Sequence, residues 1–359
     1  MHGNADGRLS ACWTTSLRPT TVTPEPDKTL ALPMDPQRRN LLLPLNLLLA
    51  GFSLALALMV GSVDIPPAEV WSHVVGNDGS INDRIIDQLR LPRALSAFAV
   101  GGLLALAGAL MQVLLRNPLG DPYVLGISGG AAAAVLTAML LALPGLWYTP
   151  AAAAGALLST LLVFGLARGG DDWRSDRLLL TGIVVAAGWS ALIGFVLSIS
   201  PARQLPGMLF WLMGDLADAD EPGIPLTLLA GGLGLAFLRA RDLNIATQGL
   251  LQAAALGINT RRLRLELYFL AALLTAAAVT AAGAIGFVGL ITPHLIRRLG
   301  GRDHRVLLPA AVLLGGSLLL LADSAARTLI SPMQLPVGVL TAMIGVPVFL
   351  FLLHRGTRR

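Results

Sequence analysis

The basic residues of this chain are sorted. Eighteen of its 26 Lys and Arg residues fall in short segments between long apolar runs. When those runs are laid back and forth across a bilayer, all eighteen gather on one side. Uncharged stretches at 41–63, 94–115, 146–167 and 178–200 each reach the roughly 20 residues that a helix needs to cross. They are rich in Ala, Leu and Gly and lack turn residues every ten positions, so helices rather than barrel strands fit them. Charged residues make up 13% of the chain, where a soluble domain has about a quarter. Together these features predict an all-α membrane protein.

Ten spans are expected, at 41–63, 93–115, 124–143, 146–167, 178–200, 223–239, 265–285, 287–299, 306–328 and 336–353. The seventh and eighth lie in one stretch, 265–296, that carries a single charge, Glu266. One straight helix of that length would rise about 48 Å, well beyond a hydrocarbon core of about 30 Å. Arg261, Arg262 and Arg264 precede it and Arg297 and Arg298 follow it. Basic loops stay cytoplasmic, so the stretch crosses twice and turns near Gly283-Ala-Ile-Gly286. The eighth span is then short, with a break expected at Pro293. Ten spans place both termini in the cytoplasm, with only Arg84, Arg90, Arg93, Arg203 and Arg327 outside.

The pI near 10.3 thus reports topology, and no nucleic-acid partner is needed to explain it. The first 33 residues are rich in Thr and Pro, carry the only cysteine, Cys12, and lack a signal-peptide core. Two readings stand: a disordered cytoplasmic tail, or a mis-assigned extension ahead of a native start at Met34. The domain division is a tail over 1–39 and a ten-helix domain over 40–356. One cysteine allows no disulfide and no thiol metal site. No nucleotide-binding, metal or catalytic motif is present, so no cofactor, metal or catalytic residue is expected. His294 stands alone and reads as structural. Apart from Glu266 at the very edge of the seventh, Asp323 is the one acid inside an expected span, with Arg327 four residues on. An intramembrane acid is a functional candidate, although an i,i+4 pair near a helix end also snorkels to water. A weak inverted repeat is suggested by Gly108-Ala109 ahead of Pro118 and Gly283-Ala284 ahead of Pro293. Gly101, Gly102 and Gly108 read as close-packing surfaces between helices.

A family resemblance rests on nine motifs in order. Arg90-Leu-Pro-Arg93 is followed by Gly108-Ala-Leu-Met-Gln112, then Asn117-Pro-Leu-Gly-Asp-Pro122 with Leu125-Gly-Ile-Ser128. Next come Leu178-Leu-Leu-Thr-Gly182, Phe210-Trp-Leu-Met-Gly214 and Gly283-Ala-Ile-Gly-Phe-Val-Gly-Leu290 running into Pro293-His294. Asp303-His-Arg-Val-Leu-Leu-Pro309, Ala322-Asp323 with Ala326-Arg327, and Leu335-Pro-Val-Gly338 complete the set. In these residues the chain resembles the FecCD-type permeases of ABC importers for iron-siderophores, haem and cobalamin, over about 40–356. The resemblance implies a type II importer fold of ten helices in the cell inner membrane. It implies a second permease subunit, as a homodimer or heterodimer, two copies of a separate ATPase, and a periplasmic substrate-binding protein.

It also implies roles for particular residues. Arg90, Arg93 and Arg327 match positions that receive acidic side chains of the binding protein; the competing reading is that they anchor helix ends at headgroup level. The loop with Gly249, Leu250, Leu251, Ala253, Leu256 and Gly257 matches the segment that meets the ATPase. The family's acidic pair after the glycine is missing, since Leu250 and Leu251 stand there. Those leucines read either as an apolar knob for the ATPase groove or as residues buried against the loop itself. The cytoplasmic gate maps onto Asn117, Leu119, Ser175 and Asp176, while Asp176 also suits an ion pair with Arg174 or Arg177. Among substrates the resemblance favours ferric siderophore, with haem or cobalamin as the alternative. An ion-coupled secondary carrier is the rival class, which the lack of a mid-membrane acid opposes, and a membrane enzyme is more remote.

Overall fold

A computed structural model describes residues 36–61, 64–76, 80–167, 175–217, 219–330 and 333–356. The tail with Cys12, and Arg168 and Arg174, lie outside the described residues, as do the side chains of Ser175 and Asp176. The chain is all-helical: α1 (Pro36–Met59), α2 (Pro67–Val75), α3 (Ile81–Ile85), α4 (Leu91–Leu114), α5 (Ile127–Leu140), α6 (Tyr148–Ala167), α7 (Ser175–Ile199), α8 (Leu205–Met213), α9 (Gly223–Leu238), α10 (Ala240–Gln248), α11 (Leu250–Ala255), α12 (Thr260–Ala282), α13 (Val288–Arg298), α14 (His304–Thr328) and α15 (Val337–Gly356).

Ten of these fall on the ten expected spans, namely α1, α4, α5, α6, α7, α9, α12, α13, α14 and α15. Among the described residues six helical runs are long and apolar enough to cross alone, and α9 bends by 60° into α10. The second span differs from its expected start at 93. A π-helical turn over Ile86–Arg90 joins α3 to α4, so one helical run extends from Ile81 to Leu114. Its start is fixed by a capping box, in which Ser80 Oγ accepts from the Asp83 N–H and Asp83 accepts from the Ser80 N–H.

Helix α4 is the hub, packed by α1, α9, α12, α13 and α14. Its small residues let backbones approach. A Cβ on Gly101 would lie 2.3 Å from the Gly315 carbonyl oxygen of α14, and one on Gly108 would lie 1.9 Å from the Gly289 oxygen of α13. The close-packing reading of these glycines therefore holds. In lipid there is little hydrophobic drive between helices, so such fits are what hold the bundle together.

The turn between the seventh and eighth spans is where it was expected: α12 ends at Gly283, with φ +66°, and α13 begins after Phe287. α13 is short, at 11 residues, or about 16 Å. It is not broken at Pro293, however, and the helix runs through it. Proline lacks the N–H that would reach the carbonyl four residues back, here that of Gly289. That is the oxygen pressed against Gly108, where no side chain stands in its way. The suggested repeat also changes form. Gly108 lies inside α4 whereas Gly283 follows the end of α12, so the Gly-Ala spacing does not mark equivalent places. What the two halves do share is a left-handed residue before a short helix, Gly126 before α5 and Phe287 before α13, both at φ 69°.

Candidate functional site

Three polar junctions interrupt the apolar bundle. The first sits where the N-terminal end of α4 meets the C-terminal ends of α1 and α14. Arg93 donates to Asp323 through Nη2 at 2.7 Å and through Nε at 3.1 and 3.2 Å to the two oxygens. Arg327 Nε lies 3.2 Å from the second oxygen, an ion pair by distance without hydrogen-bond geometry. Asp323 is 1% exposed. Rather than snorkelling to water, the Asp323–Arg327 pair is closed by a second arginine from another helix. Arg90 is also buried, and its Nη1 donates to the carbonyls of Leu58 and Met59 at 2.6 and 2.9 Å. Those are the last carbonyls of α1, which lack partners within the helix and attract a cation. So the chain brings the three arginines to one end of the bundle, where each contacts groups of the chain itself. Asp215 lies close enough to feel Arg93 and Asp323. Burial pushes its carboxyl above the ordinary range, against the N–H groups of Leu216 and Ala217 and the charge of Arg93.

The second junction joins the turn after α12 to the loop after α4. The Ile285 N–H donates to Tyr123 Oη at 3.0 Å. Gln112 Nε2 donates to the Leu290 carbonyl at 3.2 Å, and Arg297 donates to Gln112 Oε1. Asn117 and Leu119 sit beside this junction in one tight turn, where Asn117 Oδ1 accepts from the Leu119 N–H at 2.9 Å. Asn117 is half-buried and Leu119 is exposed. Of the other gate pair, Ser175 and Asp176, the structure gives the backbone position at the start of α7.

The third junction is a groove of about 310 Å³ between α10, α11 and the start of α12, walled by Arg239, Asp242, Leu256, Asn259, Arg262 and Glu266. Arg239 and Arg262 both reach Glu266 Oε1, at 2.9 and 2.8 Å. Gly249 separates α10 from α11 at φ 151°, ψ 139°, a conformation open almost only to glycine. Beyond it Leu251 is 88% exposed and Leu256 68%, whereas Ala253 is fully buried and anchors α11. Leu250 is half-covered and Gly257, at φ 81°, closes the segment. Of the two readings of the leucine pair, burial against the loop fails for Leu251, which stands in the open.

Two partners at these junctions carry no signal in the sequence. Tyr123 and Asp215 are single polar residues whose importance arises from contacts far along the chain, at 162 residues' separation for Tyr123 and Ile285. Among the described residues no His, Cys, Asp and Glu group has the arrangement of a metal site.

Comparison with known proteins is consistent across three kinds of match. The sequence profile of the FecCD transport family matches residues 47–355. The hemin transport system permease protein of Yersinia pestis is 41% identical over 321 residues, covering 86% of this chain and 96% of that protein. The vitamin B12 import system permease protein of Klebsiella pneumoniae is 38% identical over 335 residues, covering 92% and 98%. Among solved structures, an inward-facing metal-chelate type ABC transporter superposes with a TM-score of 0.79 at 31% identity, over 88% of this chain and 99% of that one.

Proposed function

Because the chain belongs to the FecCD transport family, and so is a multi-pass, non-catalytic permease subunit of an ABC importer that works with an ATPase and a substrate-binding protein, we propose that its cargo is a tetrapyrrole-type metal chelate, haem or cobalamin. The observation that carries this reading is near full-length similarity to a hemin permease and a vitamin B12 permease. The ferric siderophore expected from its prevalence in the family is not specifically supported by these matches.

The working unit on this reading is two permease subunits with two ATPase subunits in the inner membrane, with both permease termini in the cytoplasm. The exposed face of α7 supports a second copy, since Gly188 and Gly194 have nothing within 4 Å of a Cβ placed there. The α10–α11 segment, with Leu251 projecting, meets the ATPase. The end of the bundle that carries Arg93 and Arg327 receives the binding protein, whose carboxylates would share those two guanidinium groups with Asp323. Arg90, enclosed by the carbonyls of α1, holds the helix end there. Asn117, Leu119, Ser175 and Asp176 form the cytoplasmic constriction.

Substrate choice is tested by reconstituting the permease, ATPase and binding protein in liposomes and following ATP-dependent uptake. Hemin or cobalamin uptake is expected to exceed that of a ferric siderophore by at least about tenfold, a difference of some 1.4 kcal/mol in discrimination. Preferential siderophore uptake would overturn the proposal.

A further inference from the structure

Asn244 belongs to α10, within the segment assigned to the ATPase, yet its side chain reaches into the first turn of a different helix. Its Oδ1 accepts from the backbone N–H of His304 at 2.9 Å and from His304 Nδ1 at 2.7 Å. Its Nδ2 donates to Asp303 Oδ1 at 2.8 Å. A backbone N–H can only donate, so the carboxamide has one orientation and His304 carries its proton on Nδ1. The same Asp303 oxygen accepts from the Arg305 N–H at 2.9 Å and so caps α14. The start of α14 is thus capped jointly, by its own Asp303 and by a side chain lent from α10.

The joint is stiff. His304 is 2% exposed, and Leu243 and Ala246, on the flanks of Asn244, are 0% and 3% exposed. Burial raises the Asp303 carboxyl, but the Asn244 amide, the Arg305 N–H and the neighbouring positive charge of Arg305 together hold it below its ordinary value. From this joint α14 continues for 25 residues, about 37 Å. Near its far end stand Asp323 and Arg327, in the cluster that grips Arg93 of α4. A single helix thus has a polar clamp at each end, and packed elements of this kind shift between arrangements instead of deforming smoothly.

We propose that Asn244 is a positioning residue for energy coupling, latching α10 to the first turn of α14 so that movement of the ATPase-facing segment is delivered along α14 to the Asp323 cluster. The inference rests on the assignment of α10–α11 to the ATPase. An ordinary structural cap would affect folding alone; a latch also sets how strongly the binding protein stimulates ATP hydrolysis.

The test is a swap in the complete complex, with the ratio of binding-protein-stimulated to basal ATP hydrolysis as the readout. Asn244→Asp sets two carboxylates where the 2.8 Å hydrogen bond was. In the double variant Asn244→Asp/Asp303→Asn, the amide and carboxylate exchange places. Residue 244 still accepts from His304, while residue 303 donates to it and still caps α14. The single variant is expected to lower the ratio by about fivefold or more, the usual scale of coupling between sites. The double variant is expected to restore it to within about twofold, a strong non-additivity. An unchanged ratio in the single variant, or no recovery in the double, overturns the latch. If the single variant fails to assemble, Asn244→Ala, which removes the hydrogen bond without adding a charge, takes its place in the ratio measurement, and an unchanged ratio there overturns the latch. The docking assignment is read separately, from Leu250→Asp with Leu251→Asp. These two charges would be buried without partners and are expected to abolish copurification of the ATPase. If copurification persists, the docking surface lies elsewhere, while the swap still decides the role of Asn244.

Discussion

Helices α4 and α7 are alike in composition and opposite in fate. Both are long, apolar and free of mid-helix charge, yet 89% of the most apolar part of the α3–α4 run is buried in the bundle and only 11% of that of α7. Hydropathy separates membrane from water, but lipid tails are as apolar as a protein core, so it cannot separate the two helices. Steric detail does. Gly101 and Gly108 of α4 face backbone oxygens at distances that no Cβ tolerates, whereas Gly188 and Gly194 of α7 face open space. α7 does pack near its start, where a Cβ on Gly182 would meet the Val124 oxygen at 2.4 Å. Farther along, its apolar face with Ile183, Val184 and Phe195 is exposed. One helix holds the subunit together and the other is available to a second subunit or to lipid.

The largest expected effect tests this directly. Gly108→Leu drives a side chain into the Gly289 carbonyl, and backbone on both sides leaves nothing flexible to yield. It should give almost no monodisperse protein by size-exclusion chromatography in detergent. Gly188→Leu should accumulate like the parent, and a shift from dimer to monomer would sharpen the contrast by assigning the α7 face to the second copy. Equal damage from both would break the comparison.

Next comes the charge cluster at the start of α4. Asp323→Ala leaves Arg93 and Arg327 side by side without their shared carboxylate. Loss of one partner from a buried pair costs about 3–5 kcal/mol, so the thermal midpoint in detergent should fall sharply. Ser190→Ala on the exposed part of α7, where Ser190 Oγ donates only to the Ala186 carbonyl, should stay within about 0.5 kcal/mol. A mild Asp323→Ala would mean that the cluster does not clamp α4 to α14.

The smallest effect is a pH dependence at the loop that leaves α4. Asp121 keeps part of its surface open but lies deep enough that burial pushes its carboxyl up to about 6, against the pull of the Tyr123 N–H. The fold therefore favours the neutral form. Stability from this group is full below an ordinary Asp pKa of about 3.9 and is lost as pH rises through about 6. Asp121→Asn keeps the acceptor for Tyr123 and removes the titration. The variant should melt higher than the parent at roughly pH 7, with the difference shrinking toward roughly pH 5. A constant difference would show that Asp121 stays ionised in the fold.

What the sequence determined by itself was the number and place of the main helical segments, because the arginine pattern and the cost of exposing backbone in lipid leave few alternatives. The division of 265–296 into two helices followed from length and flanking charge, and α12 and α13 appear there as expected. The family resemblance was legible too, since its motifs mark loop ends and close helix contacts over most of the chain. Partners were not legible. That Arg90 would be enclosed by the carbonyls of Leu58 and Met59, or that Arg93 would find Asp323 across 230 residues of sequence, depends on which helices become neighbours. Likewise α13 passes through Pro293 because Gly108 of another helix makes room for the carbonyl that the proline frees. Asn244 looked like any polar residue of a cytoplasmic loop, and only the approach of α10 to the start of α14 gave it a site. Hydropathy and charge act locally, along one chain and one solvent, and so can be read in order. Contacts between helices depend on shape at sub-ångström scale, and the tertiary structure alone decides them.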